Sequence, residues 1–71
     1  MNQSLDPVNE LRAIGYLLAD CQAHLNVAVD TAERLGFPVL AAALQRAADA
    51  IRAADEENLR LFRESQDAAS S

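Results

Sequence analysis

Few side chains in this 71-residue chain have the type and spacing to do chemistry. Cys21 and His24 stand three residues apart, which puts both on roughly one face of a helix. Two copies of the pair could offer a zinc ion four ligands, but one chain cannot close a four-ligand site alone. A free cysteine on an apolar stripe behaves as a small hydrophobe. That reading predicts Cys21 buried opposite Ile51, with His24 on the flank covering apolar surface. Asp55-Glu56-Glu57 is a run of carboxylates, yet successive helical positions point in different directions and cannot converge on one reacting atom. The run reads as a solvated face, with Arg52–Glu56 and Glu56–Arg60 as pairs one turn apart. There is no glycine-rich phosphate loop, no nucleophile with an evident base, and no Glu-x-x-His pair for a bundle-core metal. The expectation is a chain that is not an enzyme, with no catalytic residue, metal, cofactor or small-molecule substrate.

Arg52, Arg60 and Arg63 fall on one side of a helix, with Asp49 and Glu56 among them. Interleaved charge marks surface ion pairs rather than a phosphate footprint. All six basic residues are arginines, and eleven acids bring the net charge to −5. Such a balance argues against nucleic acid, which is held through a basic face, and against anionic membranes, which attract basic segments. No apolar run approaches the roughly 18 to 20 residues of a spanning helix. The first residues, Met1-Asn2-Gln3-Ser4, lack the basic patch and apolar stretch of a signal peptide. With a lone free cysteine, these features predict a cytoplasmic protein. Arginine without lysine and fifteen alanines suggest a GC-rich bacterial or phage genome.

The elements that must position these residues are marked by sparse punctuation. Asp6-Pro7 reads as a helix start, Asp6 capping and Pro7 in the first helical position, where its missing N–H costs nothing; Ser4 is an alternative cap. Nothing interrupts the chain until Leu35-Gly36-Phe37-Pro38. There Gly36 suits the left-handed position that ends a helix, and Pro38 can open the next. The expected layout is a single domain over residues 1–71: a helix over about 7–35, a turn at 36–37, a helix over about 38–64, and a small polar tail over 65–71 that frays. The fold class is all-α, an antiparallel two-helix hairpin of coiled-coil type.

Heptad spacing predicts the contact line. Leu11, Ile14, Leu18, Cys21, Leu25, Ala28, Ala32 and Leu35 follow alternating three- and four-residue steps, as do Phe37, Leu40, Leu44, Ala47, Ile51, Ala54, Asn58 and Leu61. Folding back at Gly36 sets Leu35 on Phe37, Leu25 on Ala47, Cys21 on Ile51 and Ile14 on Asn58. Several layers then match a leucine to an alanine, the complementarity a close-packed interior needs. Asn58 on this line either fixes the register or sits hydrated near the open end. Gly15, costing about 1 kcal/mol against alanine in a helix, marks either a close approach, with Phe62 a candidate, or a tolerated defect.

One seam leaves much apolar surface uncovered, and a chain of this size with no disulfide or metal needs another source of stability. Dimerisation of two hairpins into a four-helix bundle is the expectation, with Leu17, His24, Ala43, Ala50, Leu59 and Phe62 at the dimer interface. The open end carries Leu11, Ile14, Leu17, Leu59, Leu61 and Phe62, while alanines crowd the turn end, so a head-to-tail dimer would set bulky ends against slim ones. On the outer face of the first helix, Tyr16, Ala19, Ala23 and Val27 form a strip able to receive a partner helix or groove.

The architecture is similar to that of histidine-kinase dimerisation domains and phosphotransfer proteins, four-helix bundles with an exposed histidine. Leu25-Asn26-Val27-Ala28 after His24 lacks the adjacent acid of the former and the nearby lysine and glycine of the latter. It is also similar in architecture to a dimeric helical hairpin that regulates plasmid copy number by binding RNA loops. The residues favour neither activity. The expected function is protein–protein interaction: a small acidic regulator, inhibitor or adaptor acting as a homodimer. The alternative is a dedicated secretion-type chaperone or co-chaperone forming a heteromer, and an RNA-binding hairpin ranks below both.

Overall fold

The computed structural model describes residues 6–70, two helices packed against each other as a hairpin. Helix α1 spans Pro7–Leu35 and helix α2 spans Pro38–Ser70. Ser4, the alternative cap, and Ser71, the last residue of the expected tail, lie outside the described residues. Asp6 starts α1: its side chain accepts the Val8 N–H at 3.1 Å and its carbonyl accepts the Glu10 N–H, with Pro7 in the first turn. One of the unpaired amides that open every helix is thereby satisfied.

Gly36 ends α1 at φ 81°, in the left-handed region. Its N–H reaches the Glu33 carbonyl at 3.1 Å and the Phe37 N–H reaches that of Ala32 at 2.9 Å, the paired closure of a Schellman turn. The Phe37 carbonyl then accepts the Ala41 N–H at 2.9 Å, so α2 begins directly after the two-residue turn Gly36-Phe37. At its other end α2 runs on to Ser70, past the end expected near residue 64. Ser65-Gln66-Asp67-Ala68 contains neither proline nor glycine, so no residue in it forces the helix to stop.

The contact line differs from the expected one by one residue. The more buried positions on α1 are Val8, Leu11, Gly15, Leu18, Gln22, Leu25, Val29 and Ala32, with Ala28 and Thr31 also half-buried near the turn. On α2 they are Ala41, Leu44, Ala48, Ile51, Asn58, Phe62 and Ser65, with Ala47 half-buried beside Ala48, and the seven-residue spacing passes through the exposed Asp55. Part of each expected row is therefore right: Leu11, Leu18, Leu25 and Ala32 on α1, with Leu44, Ile51 and Asn58 on α2, while Ala28 and Ala47 are half-buried at the edge of the seam. The remaining seven lie outside the seam. Ile14, Cys21, Leu35, Phe37, Leu40, Ala54 and Leu61 are exposed, and Gly15, Gln22, Val29, Ala41, Ala48 and Phe62 take the inner places. Cys21, expected to be buried against Ile51, is a surface thiol.

The physical reason is size. Val29, Ala32, Ala41 and Ala48 are the buried apolar residues, and small residues on the line of contact let two backbones approach at the short end of the usual range. Branched side chains at Ile14, Leu35 and Leu40 would hold the helices apart, and they sit better beside the seam. With Asn58 against Gly15, the same register sets Ala32 opposite Ala41, Leu25 opposite Ala48, and Leu11 opposite Phe62. Over this last layer the Arg12 guanidinium stacks 5.7 Å from the Phe62 ring centre.

Such a seam makes a thin core. No large side chain is fully buried among the described residues. The hairpin measures 52 × 25 × 13 Å, a single helix layer, whereas stable domains pack two or three. Its accessible area is 5170 Å², against about 4300 Å² for a compact protein of its mass.

Candidate interaction surface

The shifted seam divides the hairpin into two unlike broad faces. Residues just before one seam row lie beside it, and in antiparallel helices they fall on the same side of the pair. On α1 these are Ile14, Cys21, Ala28 and Leu35, and on α2 Leu40, Ala47, Ala54 and Leu61. One step further round come Leu17 and His24 on α1, with Ala43 and Ala50 on α2. These twelve positions include no aspartate, glutamate or arginine, and Glu57, next in line after Ala43 and Ala50, puts a carboxylate at the open-end margin of the face. Leu17 is 64% exposed and Leu40 50%.

The face is shaped as a saddle. Ile14, Leu17 and Leu61 stand at the open end, and Leu35 and Leu40 at the turn end, beside a shallow apolar depression lined by Phe37, Pro38, Val39 and Ala43. Between them Cys21, Ala47, Ala50 and Ala54 form a slim waist. The expectation of a slim turn end is thus corrected: Leu35, Phe37, Val39 and Leu40 make that end bulky, because the helix line that buries Ala32 and Ala41 leaves them outside.

The opposite broad face is mixed. Arg12, Ala19, Asn26 and Glu33 on α1 face the same way as Gln45, Arg52, Leu59 and Gln66 on α2. At its open end a second depression is lined by Leu11, Arg12, Gly15, Asp55, Asn58, Leu59 and Phe62. The six residues expected at a dimer interface are consequently not brought together. Leu17, His24, Ala43 and Ala50 share the uncharged face, Leu59 lies on the mixed one, and Phe62 is half-buried in the seam. The strip expected to receive another protein, Tyr16, Ala19, Ala23 and Val27, is exposed on the mixed side and outer edge of α1, with Tyr16 68% and Val27 64% accessible.

Charged residues sit away from the uncharged face or at its margins and pair locally. Arg34 contacts Asp30 at 3.1 Å and Arg52 contacts Asp49 at 3.0 Å. Arg60 donates to both Glu57, at 3.1 Å through Nε, and Glu64, at 2.6 Å. These replace the expected Arg52–Glu56 and Glu56–Arg60 pairs, since from their helix positions both arginines reach other acids. The hydrogen bond from Arg60 holds the Glu57 carboxyl below its usual range, and Glu57 in turn raises the Arg60 pKa. With Arg52 and Arg60 engaged in this way, two of the three arginines weighed as a phosphate contact carry acid partners.

Cys21 and His24 are both exposed on the uncharged face. Among the described residues no group of three or more histidine, cysteine or acidic side chains is placed to hold a metal ion, and no helix is long and apolar enough to cross a membrane. No protein-family model matches this chain, and no curated protein or solved structure matches it. Sequence reasoning missed Ala41 and Ala48 as inner residues, and of the two readings of Gly15 the close approach holds, with Asn58 the neighbour nearest its Cβ position. The small residues at seven-residue spacing were the available signal, and leucine at the neighbouring positions outweighed them.

Proposed function

We propose that this protein is a non-enzymatic interaction module, a small acidic regulator, inhibitor or adaptor that acts as a dimer of hairpins in a four-helix bundle. One observation carries the reading: a single helix layer buries only small side chains while presenting Leu17, Leu35, Leu40 and others to solvent. Apolar area of this kind stabilises a fold when a second layer covers it, at about 25 cal/mol per Å². Closed twofold dimers are the commonest way for one chain to supply such a layer. Tyr16, Ala19, Ala23 and Val27 on the outer edge are the proposed contact for another protein, and the cytoplasm is the proposed location.

Sedimentation equilibrium across nanomolar to micromolar concentration, paired with far-ultraviolet dichroism, tests the dimer. The expected result is a dimer whose helicity falls on dilution, and a fully helical monomer at micromolar concentration overturns it. Crosslinked purification from the source cell, with Tyr16→Ala and Val27→Asp as controls, tests the outer strip. A specific co-purifying protein lost in both variants, with the dimer intact, is the expected outcome.

A further inference from the structure

We infer that the second copy seats on the uncharged saddle of Ile14, Leu17, Ala47, Ala50, Leu40 and Leu61, with the two hairpins running head to tail; this rests on the dimer proposed above. Three observations choose the face. The two rows beside the seam on this side hold no formal charge and Glu57 stands only at the margin, whereas the mixed face would bury Arg12, Glu33 and Arg52, and buried unpaired charge is costly. It is about 30 Å long, from Ile14 to Leu35 at 1.5 Å per residue, and two helices wide, or on the order of 600 Å². That approaches the roughly 800 Å² each partner gives to a stable interface, and the accessible area exceeds the compact-monomer value by a similar amount. The small side chains of the waist, finally, lose almost no rotamer freedom when a second copy covers them.

Charge chooses the direction. The open half of the hairpin, residues 1–23 and 50–71, holds eight acids and four arginines, while the turn half holds three and two. Glu57 and Glu64 edge the saddle at the open end, and Arg34 and Arg46 lie towards the turn. A parallel dimer would set the two acidic open halves together. A head-to-tail dimer sets each beside the nearly neutral turn half of its partner, which lowers like-charge repulsion.

The native thiol reads the face directly, since Cys21 lies near the centre of the saddle. In the dimer, a bismaleimide spanning about 10 Å is expected to join two Cys21 thiols, because their displacement from the twofold axis is only a few residues at 1.5 Å each. Ala50→Glu, at the exposed waist, is expected to weaken the dimer at least tenfold, and Ala53→Glu, on the back of the same helix, to leave it unchanged. In a Cys21→Ala background, Leu61→Cys is expected not to crosslink to itself, because head-to-tail packing holds the two copies about 30 Å apart. A dimer in which Cys21 does not crosslink, or which tolerates Ala50→Glu, overturns the face. Efficient Leu61→Cys self-crosslinking overturns the direction. A wild-type monomer at micromolar concentration fails the underlying reading instead, so the three failures are distinct.

Discussion

Asn58 and Gly15 face each other across the hairpin so closely that a Cβ on Gly15 would stand 3.3 Å from the Asn58 amide nitrogen. From that position the amide donates to the Leu11 carbonyl at 3.0 Å, one turn earlier on α1. The glycine makes room, and the asparagine uses the room to reach a backbone group that only one register supplies. Asn58 thereby locks the open half, where Asp55 and Ser65 leave little apolar packing to do so. A single polar residue on a helix seam specifies register in this way at some cost in stability.

The two residues should therefore be coupled. Gly15→Ala gains about 1 kcal/mol in helix propensity, yet the new methyl crowds the Asn58 amide by a few tenths of an ångström and strains its bond to the Leu11 carbonyl. We predict that Gly15→Ala stabilises the protein clearly more in an Asn58→Ala background than in the native one, with a coupling energy of about 0.5–1 kcal/mol. Urea unfolding of the four proteins at one fixed concentration measures it. Strict additivity would leave Asn58 with no positional role.

How much of this was legible in the residues depends on what each one signals. Asp6-Pro7 and Gly36-Phe37-Pro38 act through local backbone chemistry, so the turn and the start of both helices could be read directly. The seam could be read only to within one residue. Leu11, Leu18 and Leu25 belong to both candidate lines, and the choice between Ile14 and Gly15, or Ala47 and Ala48, is not local. It depends on how closely two backbones approach, and hydrophobicity favours the bulkier line while close approach favours the smaller. The same ambiguity displaced the candidate surface: once Ala41 and Ala48 turn inward, Leu40 turns outward, Ala47 moves to the edge of the seam, and both join Ile14 and Cys21 on one face. Leu59, grouped by sequence with Leu17, is carried to the other face by the antiparallel direction of α2.

Ala48 distinguishes the two seams by experiment. It has no accessible surface, whereas Ala53 on the same helix is exposed. We predict that Ala48→Leu destabilises by about 1–3 kcal/mol through overpacking, and that Ala53→Leu changes stability by less than about 0.5 kcal/mol. Thermal unfolding at matched concentration separates them. Were Ala48→Leu as mild as Ala53→Leu, the helices would not be in contact along the Ala41–Ala48 line.

Gly36 tests the turn by backbone conformation alone. Its φ of 81° is one that side chains rarely adopt, yet no atom lies within 4 Å of where a Cβ would project. Gly36→Ala should cost about 1–2 kcal/mol, the left-handed penalty of an ordinary residue, and Gly36→Asn distinctly less, since asparagine visits that region more readily. Equal losses for the two would indicate a steric clash in place of backbone strain.

The Glu57–Arg60–Glu64 cluster predicts a pH dependence whose sign follows from Glu57. Arg60 donates a hydrogen bond to its carboxylate, so the folded pKa lies below the ordinary value of 4.5. A depressed carboxyl contributes stability that is fully present above that value and is lost as pH falls through the folded one. Arg60 is shifted upward and keeps its proton throughout, so the carboxyl alone titrates. We predict that Glu57→Gln flattens the stability profile below pH 4.5 relative to the native chain. Because the pair is solvent-exposed, raising the salt concentration should shrink the difference, as screening shortens the range of surface electrostatics to about 3 Å at 1 M. Urea unfolding between pH 3 and pH 7 at two ionic strengths reads both effects. An unchanged acid limb in Glu57→Gln overturns the prediction.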